Sequence, residues 1–332
     1  MEVGRLFDRA VAALGRASGL RVLDLCAAPG GKTTQLLSHL DAASLLVANE
    51  IVPSRATILA DNVARWGRPN VAVCSSDPSA FTPLRGYFDI AVVDAPCSGE
   101  GMFRKDERAV VEWSPDVVRL CAARQRRILG AVWPALAPGG FLIYSTCTFN
   151  RFEDEENVDW ICAELGAECL KQRHFYPGED RGEGFFVALI RKSGSYTSGG
   201  PASPALSVLE KGSLVKVFPA AFVRDLARLE KSLKVISSGV AVATRKGRDL
   251  VPEADFALAV ADVRSAALWH FVSIELTLEE ALKFLSRDAV AFPDAPRGYL
   301  LLTYKGQGLG FVKNLGNRTN SLFPSARRIR MH

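Results

Sequence analysis

The sequence predicts an α/β protein built on a largely parallel sheet and followed by a smaller α+β module. Short runs rich in Val, Ile and Leu alternate with segments of helical periodicity over residues 21–145. A stretch rich in Gly, Ser and Pro follows near residue 200 and has no apolar period. Beyond it, strand-like and helix-like segments no longer alternate, which indicates a second domain of a different class.

The composition of the chain excludes several classes of protein. Its 332 residues fit about two globular domains, at roughly 150 residues each. No apolar run reaches the ~20 residues that span a bilayer, and the first residues predict an amphipathic helix, not a signal peptide. The seven cysteines include no Cys-x-x-Cys pair, which favours reduced thiols and a cytoplasmic location.

Charge and histidine content point to the partners that we expect. The four histidines form no ligand-spaced cluster, so we expect no metal. The net charge is +5, and no Asp or Glu follows Asp294. This basic C-terminal stretch suits a polyanion, although a solvated basic surface explains it equally well. Six cations lie in its last thirty or so residues, namely Lys305, Lys313, Arg318, Arg327, Arg328 and Arg330. We expect a monomer.

Five apolar runs are the predicted strands of the first sheet. They are Arg21–Leu25, Leu45–Asn49, Val71–Cys74, Asp89–Val93 and Phe141–Ser145. Helical patterns at Ser54–Trp66 and Pro115–Leu136 lie between them. After a predicted helix at Glu153–Leu165, the segments Glu168–Phe175 and Gly184–Arg191 are expected to close the sheet as an antiparallel edge.

These elements predict a first domain over residues 1–192. Residues 193–204 form the predicted linker, and residues 205–332 form the second domain.

The second domain shows mixed signals, which predict a small α+β module. One helix is expected at Ala220–Leu233, and a second is opened by Thr277, with Glu280 at capping-box spacing. The apolar segments Leu300–Tyr304 and Leu309–Lys313 flank a Gly-rich turn and predict a hairpin.

A Gly-rich turn after the first predicted strand is the clearest ligand site. It consists of Cys26, Ala27, Ala28, Pro29, Gly30, Gly31 and Lys32 and leads from Asp24 into a helix. Ligands of open α/β sheets bind at such junctions. Small residues let a ligand approach the backbone, and the helix N-terminus offers free N–H groups. The turn suits a nucleotide or S-adenosylmethionine (SAM).

Two acidic residues end the next two predicted strands. Glu50 follows the turn by roughly 20 residues, the spacing of a carboxylate that binds a ribose diol. Asp77 could bind an adenine amino group, but a turn or cap role is equally consistent. A P-loop ATPase is rejected, because Cys26 stands where that motif requires glycine.

Cys97 and Cys147 lie in predicted loops at the carboxyl ends of strands, whereas we expect the other five cysteines to be small buried hydrophobic residues. If the strands are parallel, both cysteines and Asp94 share one rim with the Gly-rich turn.

A thiol beside a SAM site suits methylation of cytosine. A thiolate that adds to carbon 6 of cytosine makes carbon 5 nucleophilic enough to take a methyl group from SAM. Nearby positive charge such as Lys32 would favour the thiolate, and Asp94 could hold the cytosine edge. The residues alone do not decide which thiol attacks.

Aromatic and basic residues near these motifs have two interpretations each. Tyr144, Phe149 and Phe103 could stack on a flipped base, but aromatic residues at strand ends more often belong to the core. Arg104 and Lys105 could contact phosphates or lie on a solvated loop.

Five blocks together make the sequence resemble the Nop/Sun family of RNA (cytosine-5) methyltransferases, in particular its bacterial ribosomal-RNA branch. The blocks are Asp24–Thr34, Ala48–Arg55, Asp94–Lys105, Tyr144–Phe149 and Asn150–Val158. The likeness continues past the linker, where Gly298–Arg330 is similar to the RNA-binding module of that branch. The resemblance implies a Rossmann-like, class I SAM-dependent methyltransferase sheet and a smaller α+β RNA-binding domain.

The resemblance also implies roles for residues. Cys26–Lys32, Glu50, Asp77 and Asp94 would bind SAM, with Arg55 from the same block as Glu50. Cys147 would attack cytosine and Cys97 would help to release the product. Small-subunit (16S) ribosomal RNA is the implied substrate, with the cytosine in an opened strand.

Relatives usually carry about a hundred more residues before the first strand, and here residues 1–20 are expected to supply one helix in place of that lobe. Two alternatives to an RNA methyltransferase stay open. One is a non-catalytic RNA-binding factor that kept the fold, which retention of both cysteines and Asp94 argues against. The other is a DNA cytosine methyltransferase, in which Cys97 would attack.

Overall fold

The computed structural model describes residues 2–179, 182–197, 202–267 and 269–330. By their internal contacts these residues divide into two compact units. The first unit comprises residues 1–60, 70–203 and 221–237, and the second comprises residues 61–69, 204–220 and 238–332. Residues 198–201 of the predicted linker lie outside the described residues.

The strands are numbered in chain order. They are β1 (Arg21–Asp24), β2 (Leu45–Asn49), β3 (Val71–Cys74), β4 (Phe88–Asp94), β5 (Leu136–Thr146), β6 (Ala167–Phe175), β7 (Phe185–Lys192), β8 (Leu206–Lys211), β9 (Leu214–Pro219), β10 (Val235–Ser238), β11 (Val240–Lys246), β12 (Asp249–Pro252), β13 (Val272–Glu275), β14 (Gly298–Tyr304), β15 (Gln307–Asn314) and β16 (Thr319–Ser321).

The helices are numbered in the same way. They are α1 (Glu2–Leu14), α2 (Gly31–His39), α3 (Pro53–Trp66), α4 (Glu107–Glu112), α5 (Pro115–Val132), α6 (Glu155–Leu165), α7 (Val223–Ser232), α8 (Ala254–Leu258), α9 (Ala261–Ala266) and α10 (Leu278–Ser286).

The first unit contains a mixed sheet of eight strands in the order β10-β3-β2-β1-β4-β5-β7-β6. Strands β1 to β5 are parallel, and β7 runs antiparallel to both β5 and β6. The prediction of a parallel sheet with an antiparallel edge is therefore confirmed. The chain order reverses direction between β1 and β4, and ligands of open α/β sheets bind at the carboxyl ends of strands at such a point.

Burial explains why these segments are strands. Every residue of β2 and β3 is buried, as expected of parallel strands covered on both faces. Helix α5 starts where Ser114 caps it and Pro115 occupies its first turn. It stops at Val132, earlier than predicted, because Pro134 has no N–H with which to continue the helical bonds.

The segment 221–237, which the sequence analysis assigns to the second domain, groups with the first unit. Its helix α7 buries Leu226 and Leu229, and β10 adds to the sheet beside β3. The backbone N–H of Ser75 donates to the carbonyl of Lys234 at 2.9 Å. Pairing with β10 satisfies backbone groups at the edge of β3. No local pattern in the sequence predicts this pairing, because the two strands are far apart along the chain.

The second unit contains two four-stranded sheets, in the orders β12-β11-β9-β8 and β13-β14-β15-β16. The predicted hairpin is present as β14 and β15, with Lys305 in the turn at positive φ. The predicted capping box is also present, because Thr277 and Glu280 exchange side-chain and backbone hydrogen bonds at the start of α10. Within the described part of the chain, no helix has the length and apolar character that crossing a bilayer requires.

Candidate active site

The carboxyl ends of the central strands meet at one rim, and backbone hydrogen bonds fix the loops that leave it. The N–H of Ala27 donates to the carbonyl of Asn49 at 2.9 Å, and the N–H of Ala95 donates to the carbonyl of Ser145 at 2.8 Å. The Gly-rich turn and both cysteine loops therefore start from the same edge of the sheet, as predicted.

The Gly-rich turn leaves the start of α2 open. Gly30 has a φ of 116°, which side chains rarely allow, and the helix has no side-chain cap. A Cβ added at Gly31 would meet no atom within 4 Å. The first turn of α2 thus borders open space at Gly31, and the start of a helix carries N–H groups that have no helical partner.

Two further predicted residues lie against this turn. The Arg55 guanidinium donates to the carbonyl of Ala28 at 3.0 Å and lies 3.4 Å from the carboxylate of Glu50. Glu50 is buried and also accepts a bond from the N–H of Val52. Arg55 therefore connects the turn to the acidic end of β2.

The hydrogen bonds of the Asp77 side chain are made within its own loop and not to the Gly-rich turn. Asp77 is exposed and accepts bonds from the N–H and hydroxyl of Ser79, which lower the pKa of its carboxyl. This is the cap geometry that the sequence analysis kept as an alternative.

Burial raises the pKa of two groups beneath the turn. Burial raises the pKa of Asp24 to about 7, although Thr33 donates to it at 2.7 Å. Burial also raises the pKa of the Cys26 thiol far above its usual range. The contribution of Cys26 to a ligand site is therefore shape and backbone, not thiolate chemistry.

Lys32 and Asp94 form the polar centre of the rim. The ammonium of Lys32 donates to one carboxylate oxygen of Asp94 at 2.6 Å, and the Ser145 hydroxyl donates to the other at 2.7 Å. Both side chains are partly exposed, at 25% for Lys32 and 31% for Asp94. The carboxylate is thus oriented from two sides and still reaches solvent.

The sulfurs of Cys97 and Cys147 lie 3.2 Å apart. A hydrogen bond between them raises the pKa of Cys97 and lowers the pKa of Cys147, and the positive charge of Lys32 lowers the pKa of Cys147 further. The pair therefore favours a thiolate at Cys147 that accepts a bond from a neutral Cys97.

Alkylation of Cys147 tests this asymmetry. A lowered pKa keeps the thiolate populated as the pH falls, so its reaction with iodoacetamide should have a midpoint below the ~8.5 of an ordinary thiol. Cys97→Ala removes the hydrogen bond and should move that midpoint upward. Peptide mass spectrometry measures the rate at Cys147, with Cys162→Ala as the control. A midpoint that Cys97→Ala leaves unchanged would contradict this account.

A buried carboxylate, Glu153, holds the two cysteine loops together, and the sequence analysis missed it. Glu153 accepts bonds from the N–H of Ser98, from Gln125 at 2.7 Å and from Asn150 at 2.8 Å. Ser98 follows Cys97 directly, whereas Asn150 lies three residues after Cys147. The acidic run after the second cysteine was the available signal, but an acidic run usually indicates a solvated face.

Glu100 makes a second connection between the loops. Its carboxylate accepts bonds from the Thr148 hydroxyl at 2.7 Å and from the N–H of Phe149 at 2.8 Å. Next to it, the N–H of Gly101 donates to the carbonyl of Cys147, and a Cβ at Gly101 would lie 2.9 Å from that oxygen. The approach of the two loops thus requires glycine at position 101.

The structure decides between the two interpretations for Tyr144, whereas stacking of Phe149 or Phe103 on a flipped base stays a prediction. Tyr144 is fully buried, and its hydroxyl donates to the carbonyl of Glu153 at 2.6 Å, so it belongs to the core and cannot stack on a base. Phe149 is partly buried and packs against Gly184, and Phe103 is edge-on to Trp113.

Arg104 and Lys105 are exposed and lie 3.5 and 3.8 Å from the carboxylate of Glu183. This pairing is compatible with either interpretation, so a contact with phosphates stays a prediction.

A cavity of about 690 Å³ opens beside Lys32. Three cations, three aromatic rings and two glutamates contribute to its lining, among them Arg5, Arg173, Tyr176 and Phe185. A second groove, of about 670 Å³, is lined in part by Cys97. Lys32 of the polar centre and Cys97 of the thiol pair therefore each border open space.

Comparison with known proteins assigns both parts of the chain. Residues 11–191 match the family described as 16S rRNA methyltransferase RsmB/F, and residues 271–329 match the methyltransferase RsmF PUA domain. The ribosomal RNA small subunit methyltransferase F of Cronobacter sakazakii is 33% identical over 359 residues, covering 92% of this chain and 72% of the relative. That of Pectobacterium carotovorum is 32% identical, covering 91% and 72%.

Among solved structures, NSun6 from Pyrococcus horikoshii with SFG has a TM-score of 0.50 and 27% identity. The match covers 56% of this chain and 51% of that protein. The expected Rossmann-like methyltransferase sheet and separate small domain are thereby confirmed. Because one family model spans more than half of the chain, this protein belongs to the RsmB/F family of SAM-dependent 16S rRNA methyltransferases.

Proposed function

We propose that this chain methylates carbon 5 of a cytosine in 16S ribosomal RNA, with Cys147 as the covalent nucleophile and Cys97 assisting product release. The observation that carries the proposal is the thiol pair, with sulfurs 3.2 Å apart and a neighbouring Lys32–Asp94 pair. Two adjacent thiols of opposite pKa shift suit two successive roles, since one must be ionised to attack and the other must keep its proton.

The residues present fit SAM. The open start of α2 suits a carboxylate, and the buried Glu50 suits a ribose diol. Residues Cys26–Lys32, Glu50, Arg55 and Asp77 would hold the cofactor, together with Asp94. When bound, SAM supplies an electrophilic methyl group.

The first role of the chain is to form the adduct. The Cys147 thiolate bonds to carbon 6 of cytosine, and the electron pair of the 5,6 double bond moves to make carbon 5 nucleophilic. Asp94 is oriented by Ser145 and Lys32, so it can hold the amino edge of the base as charge develops in the ring. Lys32 favours the attacking thiolate through its positive charge.

The second role is to release the product. Once carbon 5 carries the methyl group, a base removes its proton, the 5,6 double bond re-forms, and the bond from carbon 6 to sulfur breaks. The neutral Cys97 thiol can donate a hydrogen bond to the departing Cys147 thiolate, since the two sulfurs are within contact distance. Without that donor, the adduct should persist.

An RNA substrate is supported by two features. The match to a PUA domain covers residues 271–329, which include five of the six C-terminal cations. The cavity beside Lys32 combines cations with aromatic rings, and single strands bind to such surfaces through phosphates and stacked bases. The relatives named above are small-subunit enzymes, which supports 16S rRNA in particular.

The experiment is methyl transfer by the purified 332-residue chain. We expect radiolabelled SAM to label small-subunit rRNA, bisulfite sequencing to locate 5-methylcytosine, and DNA of the same sequence to stay unlabelled. A non-catalytic binding factor would bind the RNA without labelling it. Labelling of the DNA strand in preference to RNA would favour the DNA methyltransferase alternative.

A further inference from the structure

We propose that Asp154, Glu155 and His174 bind one divalent transition-metal ion next to the turn that carries Cys147. Each residue contributes one ligand atom, and these atoms all lie within 4.8 Å of one another. The sequence analysis expected no metal, because the four histidines form no ligand-spaced cluster along the chain.

Three unsatisfied atoms at one place support the site. Oδ2 of Asp154, Oε2 of Glu155 and Nδ1 of His174 are buried atoms that have no hydrogen-bond partner among the residues that the structure describes. Asp154 is fully buried, and among the described residues the only hydrogen bond to its carboxylate comes from the Thr146 hydroxyl, which donates to the other oxygen, Oδ1, at 2.5 Å. Buried polar atoms nearly always have partners, so unsatisfied atoms on three residues whose ligand atoms lie within 4.8 Å of one another call for a shared ligand.

The neighbouring Glu153 shows that burial alone does not leave a carboxylate oxygen without a hydrogen-bond partner. Glu153 is equally buried, yet both of its oxygens accept bonds from neutral donors. Asp154 has no such set of donors. A buried carboxylate with one hydrogen bond requires a cation or a proton.

A protonated His174 is the alternative cation, and it fits less well. Its Nε2 lies 2.8 Å from Glu155, but its Nδ1 is 3.8 Å from Oδ2 of Asp154, beyond hydrogen-bond distance. Two carboxylates and a neutral imidazole balance a charge of +2 and form the oxygen and nitrogen donor set that Zn²⁺ and Mn²⁺ accept.

The position of the site gives the ion a structural role. His174 comes from β6, Asp154 and Glu155 lie at the start of α6, and Thr146 is the last residue of β5. A bound ion would join these three elements one residue away from Cys147. The imidazole is also held in place, since it stacks on Tyr176 with ring centroids 5.3 Å apart.

The test measures metal binding on the 332-residue chain without a histidine tag, after treatment with EDTA. Mn²⁺ is the first probe, because thiolates such as those of the cysteine pair favour softer ions. Electron paramagnetic resonance of free Mn²⁺ should show one ion bound per chain. Asp154→Asn and His174→Gln should each weaken binding at least about tenfold, whereas His39→Gln, which removes a histidine paired with Asp8 elsewhere, should not.

Zn²⁺ retained after dialysis, measured by mass spectrometry, should follow the same pattern. Circular dichroism checks that each variant folds, and Glu155→Gln is the milder substitution, because its side chain is 37% exposed. Absence of Mn²⁺ and Zn²⁺ binding, or binding that all three ligand variants retain, would overturn the proposal. Because the readout is binding, its failure would leave the methyltransferase proposal untouched.

Discussion

Cys147→Ala is expected to abolish methyl transfer, with a loss on the order of 10³-fold or more, because removing a nucleophile leaves no covalent route. The same variant should form no covalent complex with RNA. The physical reason is that carbon 5 of cytosine is too weak a nucleophile without the bond to carbon 6. Methylation of 16S rRNA by the purified variant measures the loss.

Cys97→Ala should behave differently. Attack by Cys147 is still possible in this variant. The departing Cys147 thiolate, however, loses the hydrogen bond from the Cys97 thiol, whose sulfur lies 3.2 Å from that of Cys147 in the unsubstituted chain. We expect a protein–RNA adduct that survives denaturation and accumulates on a gel, with turnover strongly reduced. Cys162→Ala is the matched control, since Cys162 lies in α6 away from the pair.

The reverse pattern would contradict the assignment of roles. An adduct that forms in Cys147→Ala and is missing in Cys97→Ala would make Cys97 the nucleophile. That outcome would also favour the DNA-type mechanism among the alternatives.

Glu153→Gln is expected to have the second largest effect. The carboxylate of Glu153 only accepts, and its donors come from Ser98, Gln125 and Asn150. The NH₂ group of a glutamine can only donate, so it would face the N–H groups that now donate to Glu153 and leave them without an acceptor in a fully buried site. Breaking such a network should lower the free energy of unfolding by about 3 kcal/mol.

Activity should fall as well, even at temperatures where the variant is folded. Ser98 and Asn150 lie beside the two cysteines, so a shift of either loop would separate the sulfurs, and a misplacement of about 1 Å can cost roughly 10²-fold in rate. Chemical denaturation gives the stability, and the methyl-transfer assay gives the rate. Glu164→Gln, on the exposed side of α6, is the matched control. Equal stability of the two variants would show that the network is not needed.

The sequence by itself determined the elements of the first sheet and the places of the chemical groups. The five strands, the Gly-rich turn and the two cysteine loops are encoded locally, because an apolar run between turn residues reports burial and conformation over a few neighbours. The same local signals gave the hairpin at Lys305 and the capping box at Thr277.

Only the tertiary structure decided how these groups act on one another. Cys97 and Cys147 are 50 residues apart in the chain, and the pKa difference between them exists only because β4 and β5 are adjacent in register. The inward turn of Glu153, the burial of Tyr144 and the meeting of Asp154 with His174 depend on the same packing. Hydrogen bonds and charges act over a few ångströms of space, and separation along the chain does not report that distance until the order and register of the strands are known.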